Sequence, residues 1–222
     1  MKLVTSSFEI LNPEGPEEGI NMLRRIERLA RISHRTEDRQ TEDSWQRFIK
    51  SVVLDHGDWS VVEHVSSTVI FRVNRGVTHE LVRHRLFAFT QESTRFVNGR
   101  KSYPEGLEFI TPMELNINIR GGVILGEGLQ VCEDVYLRLL DMGVRPQEAR
   151  AVLPNALAAT IAVTGNLRNW RHFLLMRTSR ETHPEFKQVT FPLLHTFKER
   201  IPLLFDDIVP EERQIEAMRK PR

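Results

Sequence analysis

Between residues 64 and 73 the chain alternates strictly. Val65, Ser67, Val69, Phe71 and Val73 share one face; His64, Ser66, Thr68, Ile70 and Arg72 share the other. A two-residue period with β-branched enrichment predicts a half-buried strand. Upstream, Met22, Leu23, Ile26, Leu29 and Ala30 recur at helical spacing and predict a helix over 19–32. Trp45, Phe48, Ile49 and Val52 make a second stripe, a helix over 41–54, with Gly57 where a left-handed cap would close it. Downstream, a short helix is expected from Gly76 through Leu86, with Val77, Leu81 and Val82 inward and Arg83-His84-Arg85 at its end. Residues 87–94 then read as a loop.

Leu107 to Thr111 reads as a strand, as does the β-branched run Ala156 to Thr164, and the first ten residues add another. Helices are expected over 127–142, 146–153 and 167–178. A longer one spans 184–205, where Pro192 and Pro202 should kink or split it. Leu115 to Ile119 alternates like a strand before GGVILGEG, a segment expected to be a flexible hairpin or surface loop. Gly122, Gly126 and Gly128 miss the G-x-G-x-x-G spacing of a dinucleotide turn, and Glu127 would face the phosphates. Helices interspersed with strands that can pair antiparallel predict an α+β fold. We expect a single domain over 1–210, a small, mainly antiparallel sheet packed by helices, and a charged tail over 211–222.

Composition narrows this reading. The chain has 222 residues, 40% apolar and 27% charged, with a net charge of +1. These are the proportions of an ordinary globular protein. No apolar run is long enough to span a bilayer and the first residues lack a signal-like core, so the expected location is the cytoplasm, without membrane. The single cysteine, Cys132, excludes an internal disulfide and a thiolate-rich metal site. With no His or Arg within four residues to depress its pKa, it reads as a packing residue on a helix. His56 and His64, and His79 and His84, lack metal-ligand spacing, and arginines crowd the second pair. No metal is expected.

The charge that matters is local. From Arg72 to Lys101 there are seven Lys or Arg against two acids, Glu80 and Glu92. Within RHRLFAFTQESTRF, Arg83, His84, Arg85, Ser93 and Arg95 can all contact anions, and the forked donors of a guanidinium suit phosphate oxygens. Cations at a helix C-terminus also favour the macrodipole, but that leaves Ser93 and Arg95 unexplained. Such a patch, rich in Phe, could serve a nucleic-acid-binding module. The near-neutral chain argues instead for a small phosphorylated molecule, and no nucleic acid is expected. As a nucleophile Ser93 would need an oriented base within reach; a hydroxyl donating to phosphate is the simpler role.

The Arg83-His84-Arg85 triplet followed after seven residues by Ser93 resembles the RHR-x7-S signature of the flavin-dependent thymidylate synthases. So do the Ala30–His34 run, His56-Gly57 with Ser60 and Glu63-His64, the segment Ala149–Pro154, Asn166-Leu167-Arg168, and Arg177, all in the family's order. The resemblance implies reductive methylation of dUMP to dTMP, with methylenetetrahydrofolate giving the carbon and NADPH-reduced FAD the electrons. By the same resemblance Glu80, Leu81, Val82, Arg83, Gln91, Glu92, Ser93, Thr94, Arg95, Arg150 and Arg177 border dUMP, with Arg95 and Ser93 at its phosphate. Ser60, Arg83, His84, Arg85, Gln91, Asn166, Leu167, Arg168 and His172 would meet FAD. Arg177, with Arg150, would stabilise negative charge developing on the uracil ring. A homotetramer with shared active sites is implied. Gln91 stands where many members have Glu, Glu80 where many have Gln, and Phe96 where Tyr is frequent. A flavoprotein of the same fold acting on another nucleotide is the alternative.

Overall fold

The alternating stretch becomes the centre of a sheet. In the computed structural model, which describes residues 1–112 and 119–211, β1 is Lys2–Val4, β2 Ser7–Asn12, β3 Ser66–Asn74, β4 Ala88–Gln91, β5 Glu108–Ile110 and β6 Ala158–Asn166. An antiparallel sheet runs in the order β2-β3-β6-β4, and β1 pairs parallel with β5. The fold is α+β, as expected. Val65, Ser67, Val69, Phe71 and Val73 are all buried, whereas Thr68, Ile70 and Arg72 are half-exposed.

By packing, the chain divides into two units. Met1–Glu9 with Ile70–Val163 forms one; Ile10–Val69 with the chain from Thr164 onward forms the other. Each has its own core. In the first, Phe109, Leu129, Tyr136, Ala149 and Leu157 cluster. In the second, α1 (Pro16–Arg31) crosses α8 (Pro184–Arg200) so closely that a Cβ on Gly19 would stand 1.7 Å from the Arg200 carbonyl oxygen. Beneath them Trp170 makes edge contacts with Phe173 and Phe197, both centroids at 5.5 Å, and its indole N–H donates to the Ser67 carbonyl at 2.9 Å.

Several elements differ from the sequence expectation. The helix predicted over 41–54 is α2 (Ser44–Phe48) continued by a π-helical stretch, Ile49–Asp55; Gly57 after it has a φ of +90°. The short helix α3 is Arg75–Leu81, capped by Asn74, and stops five residues early. Val82 is consequently exposed, not inward, and the Arg-His-Arg triplet lies in a turn. Residues 88–91 of the expected loop form strand β4 instead. After the one-turn helix α4 (Gly99–Ser102), the glycine-rich segment is neither hairpin nor loop: α5 runs Ile119–Asp141 through Gly121, Gly122, Gly126 and Gly128. Each glycine costs a helix about 1 kcal/mol relative to alanine. Buried Leu129, Glu133 and Tyr136, spaced four and three apart, supply the packing that outweighs this. The strand read over 115–119 falls, apart from Ile119, outside the described residues, and so does the tail beyond 211.

The remaining helices are short or cut by proline. Pro146–Ala149 forms α6, followed by a 3-10 turn Arg150–Val152, and α7 is Leu167–Arg177. Helix α8 accommodates Pro192 but ends at Arg200, before Pro202. No helix among the described residues is long and apolar enough to cross a membrane.

Candidate functional site

In the first unit the basic stretch folds into three parts. Helix α3 carries Glu80 and Leu81; Leu81 is 1% exposed, so it offers a ligand only its backbone. The turn that follows holds Arg83 and Arg85, both exposed, with no side-chain hydrogen bond or ion pair among the described residues. His84 stands edge-on to Phe87, and Phe87 meets Phe89, so these ring contacts brace the turn. Strand β4 then delivers the third part, 91–95.

That third part is pinned from inside. The Gln91 amide donates to the Thr78 hydroxyl at 3.0 Å. The Glu92 backbone N–H donates to the Thr160 carbonyl, and a Glu92 carboxylate oxygen accepts the Thr160 N–H. The other carboxylate oxygen accepts the Tyr103 hydroxyl. Arg72 lies 4.0 Å from Glu92, pairs with Glu108, and donates to the Thr160 hydroxyl at 2.8 Å. Burial first, then the hydrogen bond to Glu92, pushes the Tyr103 phenol up to about 12. The Glu92 side chain is therefore spent on positioning the loop.

Beyond Glu92 the loop turns its polar groups outward. Ser93 Oγ accepts the Arg95 N–H at 3.2 Å, a turn that tightens the loop. The Arg150 guanidinium donates to the Thr94 hydroxyl at 3.2 Å and, through Nε, to the Gln147 carbonyl. Arg95 Nε donates to the Gln147 side chain at 3.3 Å, and its guanidinium lies 5.0 Å above the Phe96 ring. Thus Gln147 ties Arg95 and Arg150 to one loop of hydroxyls. An exposed arginine pair beside Ser93 and Thr94 can bind a phosphate or another compact anion.

The second unit gathers the other expected residues. Asn166 caps α7, its side chain accepting the Asn169 N–H at 2.8 Å. Leu167 is fully buried, so its side chain is core. Arg168 pairs with Glu63 at 2.5 Å, which joins α7 to the 3-10 turn Trp59–His64 that carries exposed Ser60. Arg171 reinforces the join by lying 4.6 Å over the Trp59 ring. Arg168, His172, Leu175 and Met176 form an exposed face of α7, mixing cation, imidazole and aliphatic surface. Arg177 ends α7 and lies 4.9 Å from the Phe186 ring centre.

The structure therefore brings Gln91–Arg95 together with Arg150, and Ser60 together with Arg168. Arg177 belongs to the second unit and Arg150 to the first. Sequence reasoning missed Arg72, Tyr103 and Glu108. Arg72 had a legible signal, a cation on the half-exposed face of an otherwise apolar strand. Tyr103 had none, since nothing periodic links it to Glu92.

Residues 20–203 match the family model described as thymidylate synthase complementing protein. A flavin-dependent thymidylate synthase of Corynebacterium efficiens is 36% identical over 173 residues, covering 72% of this chain and 68% of that one. One from Geobacter sulfurreducens is 33% identical over 159 residues, covering 71% and 67%. Among solved structures, the UMP/dUMP methylase PolB of Streptomyces cacaoi, bound with 5-Br dUMP, superposes with a TM-score of 0.76 over 93% of this chain and 96% of that one. At 22% identity that likeness shows the fold.

Proposed function

The chain belongs to the thymidylate synthase complementing protein family, and from that premise we propose that it is an FAD-dependent enzyme that methylates dUMP to dTMP. Methylenetetrahydrofolate is the proposed carbon donor and NADPH the proposed source of electrons. The observation that carries the reading is the loop Ser93–Arg95, with Arg95 and Arg150 tied over it and no acid paired to either among the described residues. It supplies the fixed positive charge and hydroxyl donors that a nucleotide phosphate needs.

The donor set of the second unit fits FAD. Arg168 and His172 offer donors to a pyrophosphate, Ser60 and Asn166 offer polar edges, and Leu175 and Met176 offer exposed aliphatic surface to a flat ring. In the first unit Arg83, His84, Arg85 and Gln91 are assigned to the same cofactor, and Leu167 only through its backbone. When bound, FAD supplies the reducing electrons of the methylation. The protein's contribution is electrostatic and positional.

Glu80, Leu81, Val82 and Arg83 are proposed to border the pyrimidine nucleotide, with the Gln91–Arg95 segment and Arg150 at its phosphate end. Arg177 is the proposed catalytic residue. A guanidinium stays protonated at any working pH, so it cannot act as a base. It can stabilise negative charge developing on the uracil ring, an effect worth about 3–4 kcal/mol per well-placed donor. Arg83 and Arg85, exposed and without a side-chain partner among the described residues, support a homotetramer in which neighbouring chains complete each site. A cytoplasmic location belongs to the same reading.

The purified protein should be yellow. NADPH should bleach it, and dUMP with methylenetetrahydrofolate should restore the colour as dTMP appears. A protein that cannot be loaded with FAD, or one that is reoxidised without forming dTMP, would sink the proposal.

A further inference from the structure

Arg177 is the last residue of α7, and the last carbonyls of a helix have no partner within it. Here the rest of the second unit supplies donors. The Thr178 hydroxyl donates to the Leu174 carbonyl at 2.7 Å. The Met176 carbonyl accepts from Ser179 at 2.8 Å and from Thr182 at 2.9 Å. The Arg177 carbonyl accepts the Thr190 hydroxyl at 2.8 Å, from across on α8. The end of the described chain then returns to the same place. The Glu211 N–H donates to the Thr178 carbonyl at 2.8 Å, and a Glu211 carboxylate oxygen accepts the Arg180 N–H at 3.0 Å. Lys187 Nζ closes the clasp on the carbonyls of Arg180 and Glu211. Thr178, Thr182 and Thr190 are all buried. A buried hydroxyl is unfavourable unless it is hydrogen-bonded, so three of them at one helix end mark a place where the backbone is held.

Two residues of α8, four apart and so on one face, hold Arg177 at both ends. Thr190 grips its carbonyl, and fully buried Phe186 lies under its guanidinium, with the ring centre at 4.9 Å. The Thr190 hydroxyl is itself aimed by its own helix, 3.2 Å from the Phe186 carbonyl. A helix stop alone needs the carbonyl capped; it does not need the side chain of the same residue seated by the next turn of the same partner. We propose, resting on the role given to Arg177 above, that Thr190 is a positioning residue for the reaction. It fixes the backbone from which Arg177 reaches the uracil, while Phe186 seats the guanidinium and the Lys187–Glu211 clasp closes the same helix end. A misplacement of about 1 Å at the chemistry can cost about 100-fold in rate. The loss of this bond therefore falls on turnover and not on nucleotide binding.

Thr190→Val and Thr190→Ser test it with the FAD-loaded enzyme, with kcat, dUMP affinity and Tm measured on the same samples. Thr190→Val keeps the shape and removes the donor. Its kcat should fall about 10- to 100-fold while the Kd for dUMP stays within about threefold of wild type. Thr190→Ser restores the hydroxyl and should recover most of kcat, although it loses a buried methyl group and some Tm. If Tm follows the packing in both variants and kcat does not move, Thr190 only stabilises and the proposal is overturned. Action through Arg177 is read from a double-mutant cycle. In an Arg177→Lys background, Thr190→Val should lower kcat by less than about twofold more, because the group it positions is already altered. Equal fold-losses in the two backgrounds would overturn the proposal too. Should Thr190→Val not fold, Lys187→Met loosens the clasp from a half-exposed position. Its kcat should fall about 2- to 5-fold with dUMP affinity kept, and again not in Arg177→Lys; an unchanged kcat there overturns the proposal. If the wild type forms no dTMP, or Arg177→Lys keeps wild-type kcat, the functional reading falls and this inference with it. If Arg177→Lys is slow and Thr190→Val is not, this inference falls alone.

Discussion

Tyr103 donates its hydroxyl to Glu92, and the second oxygen of that carboxylate accepts the N–H of Thr160. One acid thus fastens the residue before Ser93 to strand β6 and to the turn at 103. Arg72 stands behind it, paired with Glu108. The exposed loop of hydroxyls and arginines is presented on a base that is itself fully hydrogen-bonded.

Tyr103→Phe removes one donor from this base and leaves a half-buried carboxylate oxygen short of a partner. Such a loss costs about 1–3 kcal/mol. Chemical denaturation should show a lower midpoint with an unchanged slope. The folded variant should also bind dUMP more weakly, through a looser Ser93–Arg95 loop, with kcat less affected than KM.

The same bond has an alkaline signature. The Tyr103 phenol is pushed from 10.0 up to about 12, so the native state holds its proton where the unfolded chain has lost it. Its contribution to stability is complete below pH 10 and is lost as pH rises from 10 to 12. The stability gap between wild type and Tyr103→Phe should shrink across that window. A gap constant to pH 12 would show that the phenol titrates normally.

Gly19 and Gly128 should respond oppositely to alanine. A Cβ at Gly19 would collide with the Arg200 carbonyl at 1.7 Å, a backbone atom that cannot swing aside. Gly19→Ala should cost about 1–3 kcal/mol or more by forcing α1 from α8. At Gly128, inside α5, nothing lies within 4 Å of an added Cβ. Gly128→Ala should stabilise the protein by up to about 1 kcal/mol through helix propensity alone. A destabilised Gly128→Ala would argue that the segment is not helical.

This contrast shows what the sequence could reveal. The face Val65-Ser67-Val69-Phe71-Val73 was legible because a strand has one period and one side of this one is wholly buried. The glycines of α5 hid its first half, since its anchors Leu129, Glu133 and Tyr136 meet residues distant in the chain. The early stop of α3 was hidden too: Val82 continues the apolar spacing, yet it ends up exposed. At the site, motif resemblance named the outward residues of the 91–95 segment. It did not show that Glu92 faces inward, because Tyr103 and Thr160 reach it only after folding.

Arg171 and Asp207 give an acid-side counterpart. Arg171 donates to Asp207 at 2.6 Å, and that hydrogen bond holds the carboxyl below its ordinary value. A depressed carboxylate adds stability above about pH 4 that disappears as pH falls through its folded pKa. Asp207 is exposed, so the gain is small, under about 1 kcal/mol. Asp207→Asn should be slightly less stable than wild type at pH 7, and the difference should shrink as pH falls below about 4.

Arg177→Ala and Arg150→Ala should fail differently. Arg150 is tied to Thr94 and Gln147, on the loop assigned to the phosphate, so its loss should fall mainly on KM for dUMP. Arg177 is assigned to charge that develops on the ring during reaction, so its loss should fall mainly on kcat, by about 100- to 1000-fold. Because Arg177 also packs over Phe186, Arg177→Ala loses a ring contact, whereas Arg177→Lys retains charge near the ring. If Arg177 acts only in packing, Lys should restore both melting temperature and turnover. If it acts on the uracil, Lys should restore melting but leave kcat depressed, since an ammonium lacks the planar fork. Single-turnover reoxidation, with FAD content and dUMP affinity measured on the same samples, distinguishes the two.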